Sequence, residues 1–466
     1  MGMNVYFKKF KHVKIVDSIR TSIVEFYIFF LVTALSLGIF ITSYTGKKAT
    51  EILSFKLTDG HCKVGVEGVG THCFGDFYYS LQYALSENPW YDNFNMYPPV
   101  SNFFFKPFTM VRENIAIGNL SLIIYYSICL AGIIFVIQDI SRWHKLDKVD
   151  IAHITLFIFS SAPILAAIDR GNNQLFLLPM IYLFYKNCLL ENDQKAFVIG
   201  LILVLFKPHF IFLGFYFLTY KSLKKFVGWN FLGGLLSLTA FILYPSGLLN
   251  NLQTYVNKLL VFQNYIPAGT LEIPNLSLPN TVAVFERFLN IIIQGNDILL
   301  ENRKYPGLIF TFTILLLALI AVRLSGKNDS KLKALLLATL IPLSLPNVVF
   351  GYYLVGLLPF FLIYFAEHKG LQRSVPKIDD LSSVGLSKFS TFFVISLLMF
   401  GFIPWQIPWS VLPLSTKLDV GDISVSWFLA QVSLAGLFIS LLVPNLFFGV
   451  KKLIQTLMTK ARNERV

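Results

Sequence analysis

Six consecutive residues, 169–174 (Asp-Arg-Gly-Asn-Asn-Gln), interrupt an otherwise apolar part of the chain between the runs 151–168 and 175–190. A charged side chain next to a hydrocarbon core is costly and usually faces a cavity walled by protein. Arg170 offers a planar fork of N–H donors that matches carboxylate and phosphate oxygens, and three side-chain amides follow it closely. This pattern favours a site for an anionic or hydroxyl-rich ligand over a polar turn in a helical hairpin.

A carboxylate and a second cation are available to complete such a site. Asp76 begins a segment, 76–85, whose apolar residues suit an amphipathic helix at the membrane interface; its carboxylate could act as a general base or only cap that helix. Lys207 directly precedes Pro208 within an apolar stretch, and Pro breaks a helix. Irregular backbone inside a membrane is tolerated beside a cavity. We therefore expect Lys207 to face the same cavity as Arg170 rather than to extend towards lipid headgroups.

Apolar stretches near the length of a membrane span recur along the chain, which has 55% hydrophobic and only 14% charged residues among its 466. A soluble domain averages about 25% charged residues, so the composition indicates an all-α polytopic membrane protein. The net charge of +13 could suggest nucleic-acid binding. The basic residues cluster in short loops and at both termini, however, as in cytoplasmic segments. We expect a lipid bilayer and no nucleic acid as partner, and both termini in the cytoplasm.

Hydropathy predicts a single integral-membrane domain, 1–466, with ten crossings plus one broken or re-entrant helix pair. The crossings are predicted at roughly 22–43, 119–138, 151–168, 175–190, 229–246, 306–324, 332–350, 351–366, 390–412 and 427–449. The broken pair covers 196–220, because basic clusters flank this stretch on both sides and a Pro divides it. Two large outer loops, 44–118 and 247–304, remain as a surface for the acceptor.

The first outer loop contains two cysteines, Cys62 and Cys73, each preceded by a His. Outside the cytoplasm a disulfide is the favoured state, and closing so short a loop contributes roughly 2–3 kcal/mol. Two His-Cys pairs could instead bind zinc, although this spacing is a loose pattern. In the same loop, 97–99 (Tyr-Pro-Pro) and 106–107 (Lys-Pro) are predicted to be rigid extended pieces.

These pieces, in this order, resemble the GT-C glycosyltransferases that use polyprenyl-phosphate sugars, and they are most similar to glycosyltransferase family 87. The resemblance covers roughly residues 20–365. Each motif is weak evidence by itself, and the resemblance rests on the order in which the motifs occur. The matching elements are Asp76 with its aromatic neighbours, 97–99 with Pro107, 170–174, Lys207 with Pro208, 275–278, and 352–355 leading to Pro359.

The resemblance implies an inverting transfer of a hexose or pentose, of the mannose, glucose or arabinose type, from a polyprenyl-phosphate donor. The acceptor would be a lipid-linked or cell-envelope glycan on the periplasmic or extracellular side of the inner (plasma) membrane. Asp76 would deprotonate the acceptor hydroxyl, and Arg170 and Lys207 would hold the donor phosphate. The residues expected to bind substrate are Asn172, Asn173, Gln174, Tyr97, His209, Asn275 and Tyr352.

One position departs from the family pattern. Family members often carry His where Tyr352 aligns, so the role of that His would fall to Tyr352 or His209 here, or be lost. A lone His on an apolar stretch is more often only hydrogen-bonded in place. Neither a nucleotide-sugar fold nor an Asp-x-Asp metal pair is evident, so we expect no required metal and no cofactor.

Two other functions are compatible with these residues. A transporter or flippase of lipid-linked glycans would also contain unwound helices within the membrane. A polymerase or ligase of the O-antigen type would also join sugars outside the cell, but from a diphosphate-linked oligosaccharide. The predicted gathering of polar groups on the outer side, beside two large outer loops, favours sugar transfer at the surface over transport.

Overall fold

The computed structural model describes the central part of the chain and isolated stretches beyond it. The described residues are 74–91, 95–109, 115–265, 277, 280, 281, 312–320, 322, 330–344, 351–371, 432, 434–439, 441, 442 and 458. Their secondary structure is helical without strands, which confirms the predicted all-α class for this part of the chain. The crossings predicted at 22–43 and 390–412 lie outside the described residues, as do Cys62, Cys73 and Asn275.

Eleven α-helices are labelled here in chain order. They are α1 (Gly75–Leu85), α2 (Pro99–Thr109), α3 (Ile115–His144), α4 (Lys148–Ser160), α5 (Ala162–Arg170), α6 (Gln174–Leu189), α7 (Asp193–Phe206), α8 (Leu223–Thr239), α9 (Gly247–Tyr265), α10 (Ser330–Ser344) and α11 (Leu358–Leu371). The 3-10 segments Pro208–Gly214, Ala240–Leu243 and Gly351–Leu357 and the π-helical turn Phe217–Lys221 connect or extend them.

Two helical stretches in the described part of the chain are long and apolar enough to cross a membrane, Leu120–His144 and Leu223–Leu243. They overlap the crossings predicted near 119–138 and 229–246. Lys148–Ser160 and Pro163–Arg170, joined by a bend of 51°, make a third when they are counted as one span. The number of crossings in the whole chain stays a prediction.

The bend between α4 and α5 was not expected, because the apolar run 151–168 is continuous in sequence. Ser161 leaves the helical conformation (φ −72°, ψ 136°), and its hydroxyl donates to the carbonyl of Ile158 at 2.8 Å. Pro163 then occupies the first turn of α5, where its missing N–H costs no helical hydrogen bond. The bend separates α5 from α4, and α5 carries Arg170 at its C-terminal end.

Helix α6 lies inside the bundle and contacts α3, α7, α10 and α11. Its sequence is apolar around most of its circumference, as expected of a helix that is covered on all sides. Leu177, Leu178, Tyr182 and Phe184 are all fully buried. This central helix begins at Gln174, the last of the polar residues 169–174.

The predicted break at Lys207 is confirmed. Helix α7 ends at Phe206, Lys207 is extended (φ −145°, ψ 111°), and Pro208 begins a 3-10 segment. Trp229 of α8 fixes this segment, because its indole N–H donates to the carbonyl of Ile211 at 2.9 Å. The indole packs against Gly200 and Gly214, where any side chain would collide with it.

In the predicted first outer loop, the described residues 95–109 are more helical than expected. The pieces 97–99 and 106–107 were predicted to be extended, and this is wrong for most of them because Pro99 begins α2 and Pro107 lies within it. Pro is well accommodated in the first turn of a helix. Phe105 and Phe108 lie on the apolar face of α2 and are buried. Their packing stabilises the helix despite Pro107.

Candidate active site

Asp76 and Arg170, 94 positions apart in the chain, form a bidentate ion pair. Nε of Arg170 donates to Oδ2 of Asp76 at 3.1 Å and Nη2 donates to Oδ1 at 3.0 Å. Both side chains are largely buried, with 10% of the Asp76 side chain and 16% of the Arg170 side chain exposed. The carboxylate therefore faces the polar residues after α5. The N-cap position of α1 is Phe74, and no side chain caps this helix.

The two helices that carry this pair are held together by backbone contacts. The N–H of Phe74 donates to the carbonyl of Asp169 at 2.6 Å. Gly171 follows α5 in the left-handed conformation (φ 64°), and its N–H and that of Asn172 close the helix end, a termination that favours Gly. A Cβ at Gly171 would lie 2.7 Å from the Cβ of Phe77. The close approach of α1 thus requires Gly at this position.

We expect Gly171→Ala to destabilise the protein by about 1–3 kcal/mol, through a left-handed conformation that Ala adopts poorly and through overlap with Phe77. Thermal unfolding of the purified protein in detergent measures the effect. Gly228→Ala is the matched control, because a Cβ at Gly228 would meet nothing within 4 Å and Ala favours a helix. Equal unfolding temperatures for the two variants would contradict the requirement for Gly171.

Asn172 connects the carboxylate to the second cation. Its Nδ2 donates to Oδ2 of Asp76 at 2.6 Å. Its Oδ1 accepts one hydrogen bond from the Nζ of Lys207 at 3.2 Å and another from the backbone N–H of Gln174 at 3.0 Å. Because each end of the amide meets a group of the opposite kind, this orientation of the amide satisfies all three partners. A carboxylate, a guanidinium and an ammonium are thereby joined in one buried network.

Lys207 extends into this network from the break after α7. It is 5% exposed, and its Nζ lies 5.2 Å from the centre of the Tyr353 ring, within the range of a cation–π contact. Tyr353 belongs to the 3-10 segment before α11. The sequence predicted a role for its neighbour Tyr352, whose side chain lies outside the described residues.

Three residues that sequence reasoning missed support the network. Tyr125 and Tyr126 of α3 donate their hydroxyls to the carbonyls of Asn172 (2.9 Å) and Ile168 (2.5 Å). Ser101 of α2 accepts the side-chain N–H of Asn173 at 3.3 Å. Two adjacent tyrosines inside a predicted crossing were a usable signal, since a buried Tyr hydroxyl usually finds a partner. Ser101 gave no such signal.

The other predicted substrate-binding residues surround this network to different degrees. Asn173 is 2% exposed, and its Oδ1 has no partner among the described residues. Gln174 and His209 line a cavity beside Tyr353.

Tyr97 is fixed through its backbone, with its carbonyl accepting from Trp90 and its N–H donating to Asn95. Burial and the nearby negative charge of Asp76 raise the pKa of the Tyr97 phenol, so the phenol stays neutral and able to donate.

Ion pairs occupy the opposite end of the central helix. Lys186, in the last turn of α6, pairs with Asp139 of α3 at 2.6 Å. Lys221 pairs with Asp193 at 3.3 Å. With a rise of 1.5 Å per residue, Lys186 lies about 18 Å from the start of α6. The network around Asp76 and the basic clusters therefore lie at different ends of the bundle.

No group of three or more His, Cys, Asp or Glu side chains that could hold a metal ion occurs within the described stretches.

The family model described as glycosyltransferase family 87 matches residues 95–346. This match covers more than half of the chain and includes Arg170, Asn172 and Lys207, whereas Asp76 precedes it. No curated protein and no solved structure matches the chain.

Proposed function

Because the chain belongs to glycosyltransferase family 87, we propose that it transfers a sugar from a polyprenyl-phosphate donor to a lipid-linked or cell-envelope glycan. Family membership supplies the activity, which is glycosyl transfer, and the apolar helices supply the membrane setting. The observation that carries the choice of donor is the connected arrangement of Asp76, Asn172 and Lys207. It offers a base for the acceptor and a cation for a phosphate leaving group within one buried network.

Asp76 is the general base of this proposal. An ionised carboxylate has about four lone-pair sites. Arg170 and Asn172 occupy two on Oδ2, and Arg170 occupies one on Oδ1. The remaining site on Oδ1 is available to the hydroxyl of an acceptor. Arg170 and Asn172 thus fix the direction in which the carboxylate accepts a proton, and positioning of this kind contributes strongly to catalysis.

Lys207 serves the leaving group. As the acceptor oxygen loses its proton to Asp76 and bonds to the anomeric carbon of the donor, the bond from that carbon to the phosphate oxygen breaks. The electron pair stays on polyprenyl phosphate, where a preorganised cation stabilises the growing negative charge. Arg170 adds positive charge nearby through the guanidinium that contacts Asp76. A single displacement inverts the anomeric centre.

The proposed side of the membrane is the outer one. The basic residues Arg142, Lys145, Lys221 and Lys225 lie around the end of the bundle that holds Lys186. Short basic loops mark the cytoplasmic face. The network around Asp76 lies at the other end of α6. This position supports a periplasmic or extracellular site in the inner (plasma) membrane, with both termini in the cytoplasm.

The test uses the purified full-length protein in lipid nanodiscs with an extract of membrane glycolipids as acceptor. Labelled mannose, glucose and arabinose are supplied on a polyprenyl monophosphate, on a polyprenyl diphosphate and on a nucleotide. We expect labelled glycolipid and free polyprenyl monophosphate from one of the monophosphate donors alone. Transfer only from a diphosphate donor would instead indicate a polymerase or ligase. Movement of intact donor across a vesicle without release of sugar would indicate a flippase.

A further inference from the structure

A small cavity of about 20 Å³ lies beside the network around Asp76. Its walls come from α6, from the 3-10 segment after Lys207, from α10 and from the 3-10 segment before α11. Apolar side chains such as Ile181, Leu213 and Leu343 form much of it, with the rings of His209 and Tyr353 on one side. A cavity of this size holds about one water molecule or a group of one or two non-hydrogen atoms.

One of the residues that line this cavity carries a buried acceptor without a partner among the described residues. Gln174 is 1% exposed, and its Oε1 accepts no hydrogen bond from any described residue. A buried acceptor left without a donor is costly, and most such atoms in folded proteins are satisfied. The cavity is therefore matched to an occupant that brings an O–H or N–H donor on a small apolar stem.

The position of the cavity indicates which molecule supplies that occupant. The backbone N–H of Gln174 donates to Oδ1 of Asn172, which also accepts Lys207. The ring of Tyr353 is close to both Lys207 and His209, with its centre 5.2 Å from the Nζ of Lys207 and 5.3 Å from the ring centre of His209. A sugar whose phosphate contacts Lys207 would therefore have its nearest substituents at the cavity mouth.

We propose that this cavity receives the exocyclic hydroxymethyl group of the donor sugar, with the primary hydroxyl donating to Oε1 of Gln174. The methylene meets the apolar walls and the hydroxyl satisfies the buried acceptor. Gln174 is then a specificity-determining residue that favours a sugar with a free hydroxymethyl group, such as a hexopyranose, over a 6-deoxyhexose or a pentopyranose. This inference rests on the proposed transfer from a polyprenyl-phosphate sugar.

The experiment measures binding of short-chain polyprenyl-phosphate sugars to the purified full-length protein in nanodiscs. One series carries mannose, 6-deoxymannose and lyxose, and the other carries glucose, 6-deoxyglucose and xylose. Within the series that binds more tightly, we expect the hexose to bind roughly 10–100-fold more tightly than its two analogues, since each analogue leaves the Gln174 acceptor unsatisfied.

Gln174→Met tests the residue itself. Met has a similar volume and no acceptor of comparable strength, so the preference for the hexose is expected to fall to about twofold or less. Asn230→Leu is the matched control. It also replaces a partly buried amide on a helix, one whose Nδ2 donates to the carbonyl of Phe226 within α8, and it should leave the preference unchanged.

The outcomes separate this inference from the proposed function. Failure of the wild-type protein to bind any of the six donors, or polyprenyl-phosphate arabinose tested beside them, would overturn the proposed donor class, and this inference with it. Tight but equal binding of hexose, deoxyhexose and pentose would overturn only the role of Gln174 and would assign the cavity to an ordered water molecule. The wild-type preference decides the matter even when Gln174→Met cannot be purified.

Discussion

Asp76→Asn is expected to lower the rate of sugar transfer by about 10²–10⁴-fold, the usual contribution of a positioned general base. The Asn side chain keeps the shape of Asp and retains one oxygen that accepts a hydrogen bond from Arg170. It cannot take the proton of the acceptor hydroxyl. The transfer assay in nanodiscs measures the loss, and binding of the donor to the variant is expected to persist because Lys207 is unchanged.

Asp139→Asn is the matched control for this substitution. Asp139 is also partly buried and also paired with a cation, since it accepts Lys186 at 2.6 Å and the hydroxyl of Tyr182 at 2.8 Å. It lies at the opposite end of the bundle from the proposed base. We expect its transfer rate to remain within about twofold of the wild type, since disturbance of a remote ion pair changes no reacting group. Full turnover by Asp76→Asn, or an equal loss in both variants, would remove Asp76 from the mechanism.

Lys207→Met is expected to lower transfer by about 10²–10³-fold, because it removes a preorganised charge at the leaving group. Unlike Asp76→Asn, it should also weaken binding of polyprenyl phosphate that carries no sugar. The protein should still fold. Met removes a buried charge that is costly to desolvate, and its sulfur can pack on the ring of Tyr353 as the ammonium does.

The control for this second prediction is Lys186→Met, which removes a cation from the ion pair with Asp139. It should leave binding of polyprenyl phosphate within about twofold of the wild type, because the phosphate is expected at the other end of α6. If Lys186→Met weakens phosphate binding and Lys207→Met does not, the donor phosphate binds near Lys186, and the site proposed at Lys207 is contradicted.

The local signals in the sequence predicted part of this arrangement well. Pro208 after Lys207 predicted a broken helix, and the structure shows the break at that residue. Polar residues between two apolar runs predicted a buried site, and Arg170 and Asn172 are indeed in contact with Asp76. In both cases, placing charge or irregular backbone in an apolar environment is costly, so these residues can be recognised from the sequence around them.

The sequence contains no comparable local signal for contacts between residues that are far apart in the chain. The direct ion pair of Asp76 with Arg170 joins positions 94 residues apart, and it depends on the packing of α1 on Gly171 and on the hydrogen bond from Phe74 to Asp169. The sequence assigned Arg170 to the donor phosphate without indicating that the carboxylate also accepts its guanidinium. Likewise, the sequence analysis assigned no role to Tyr353, whose ring lies 5.2 Å from the Nζ of Lys207.

Helix α2 shows a different reason for error. Pro98, Pro99 and Pro107 predicted extended chain on local grounds, yet the structure has a helix over Pro99–Thr109. Phe105 and Phe108 pack among the aromatic rings of α1 and α3. Burial of such large side chains contributes more than a single lost helical hydrogen bond costs.

The most direct measurement is an experimental structure of the protein with a non-transferable phosphonate analogue of a polyprenyl-phosphate sugar. The account predicts phosphonate oxygens about 3 Å from the Nζ of Lys207, with the open face of the anomeric carbon towards Oδ1 of Asp76. A phosphonate held instead near Lys186 and Asp139, or an anomeric carbon turned away from Asp76, would contradict a single site that joins donor phosphate and base.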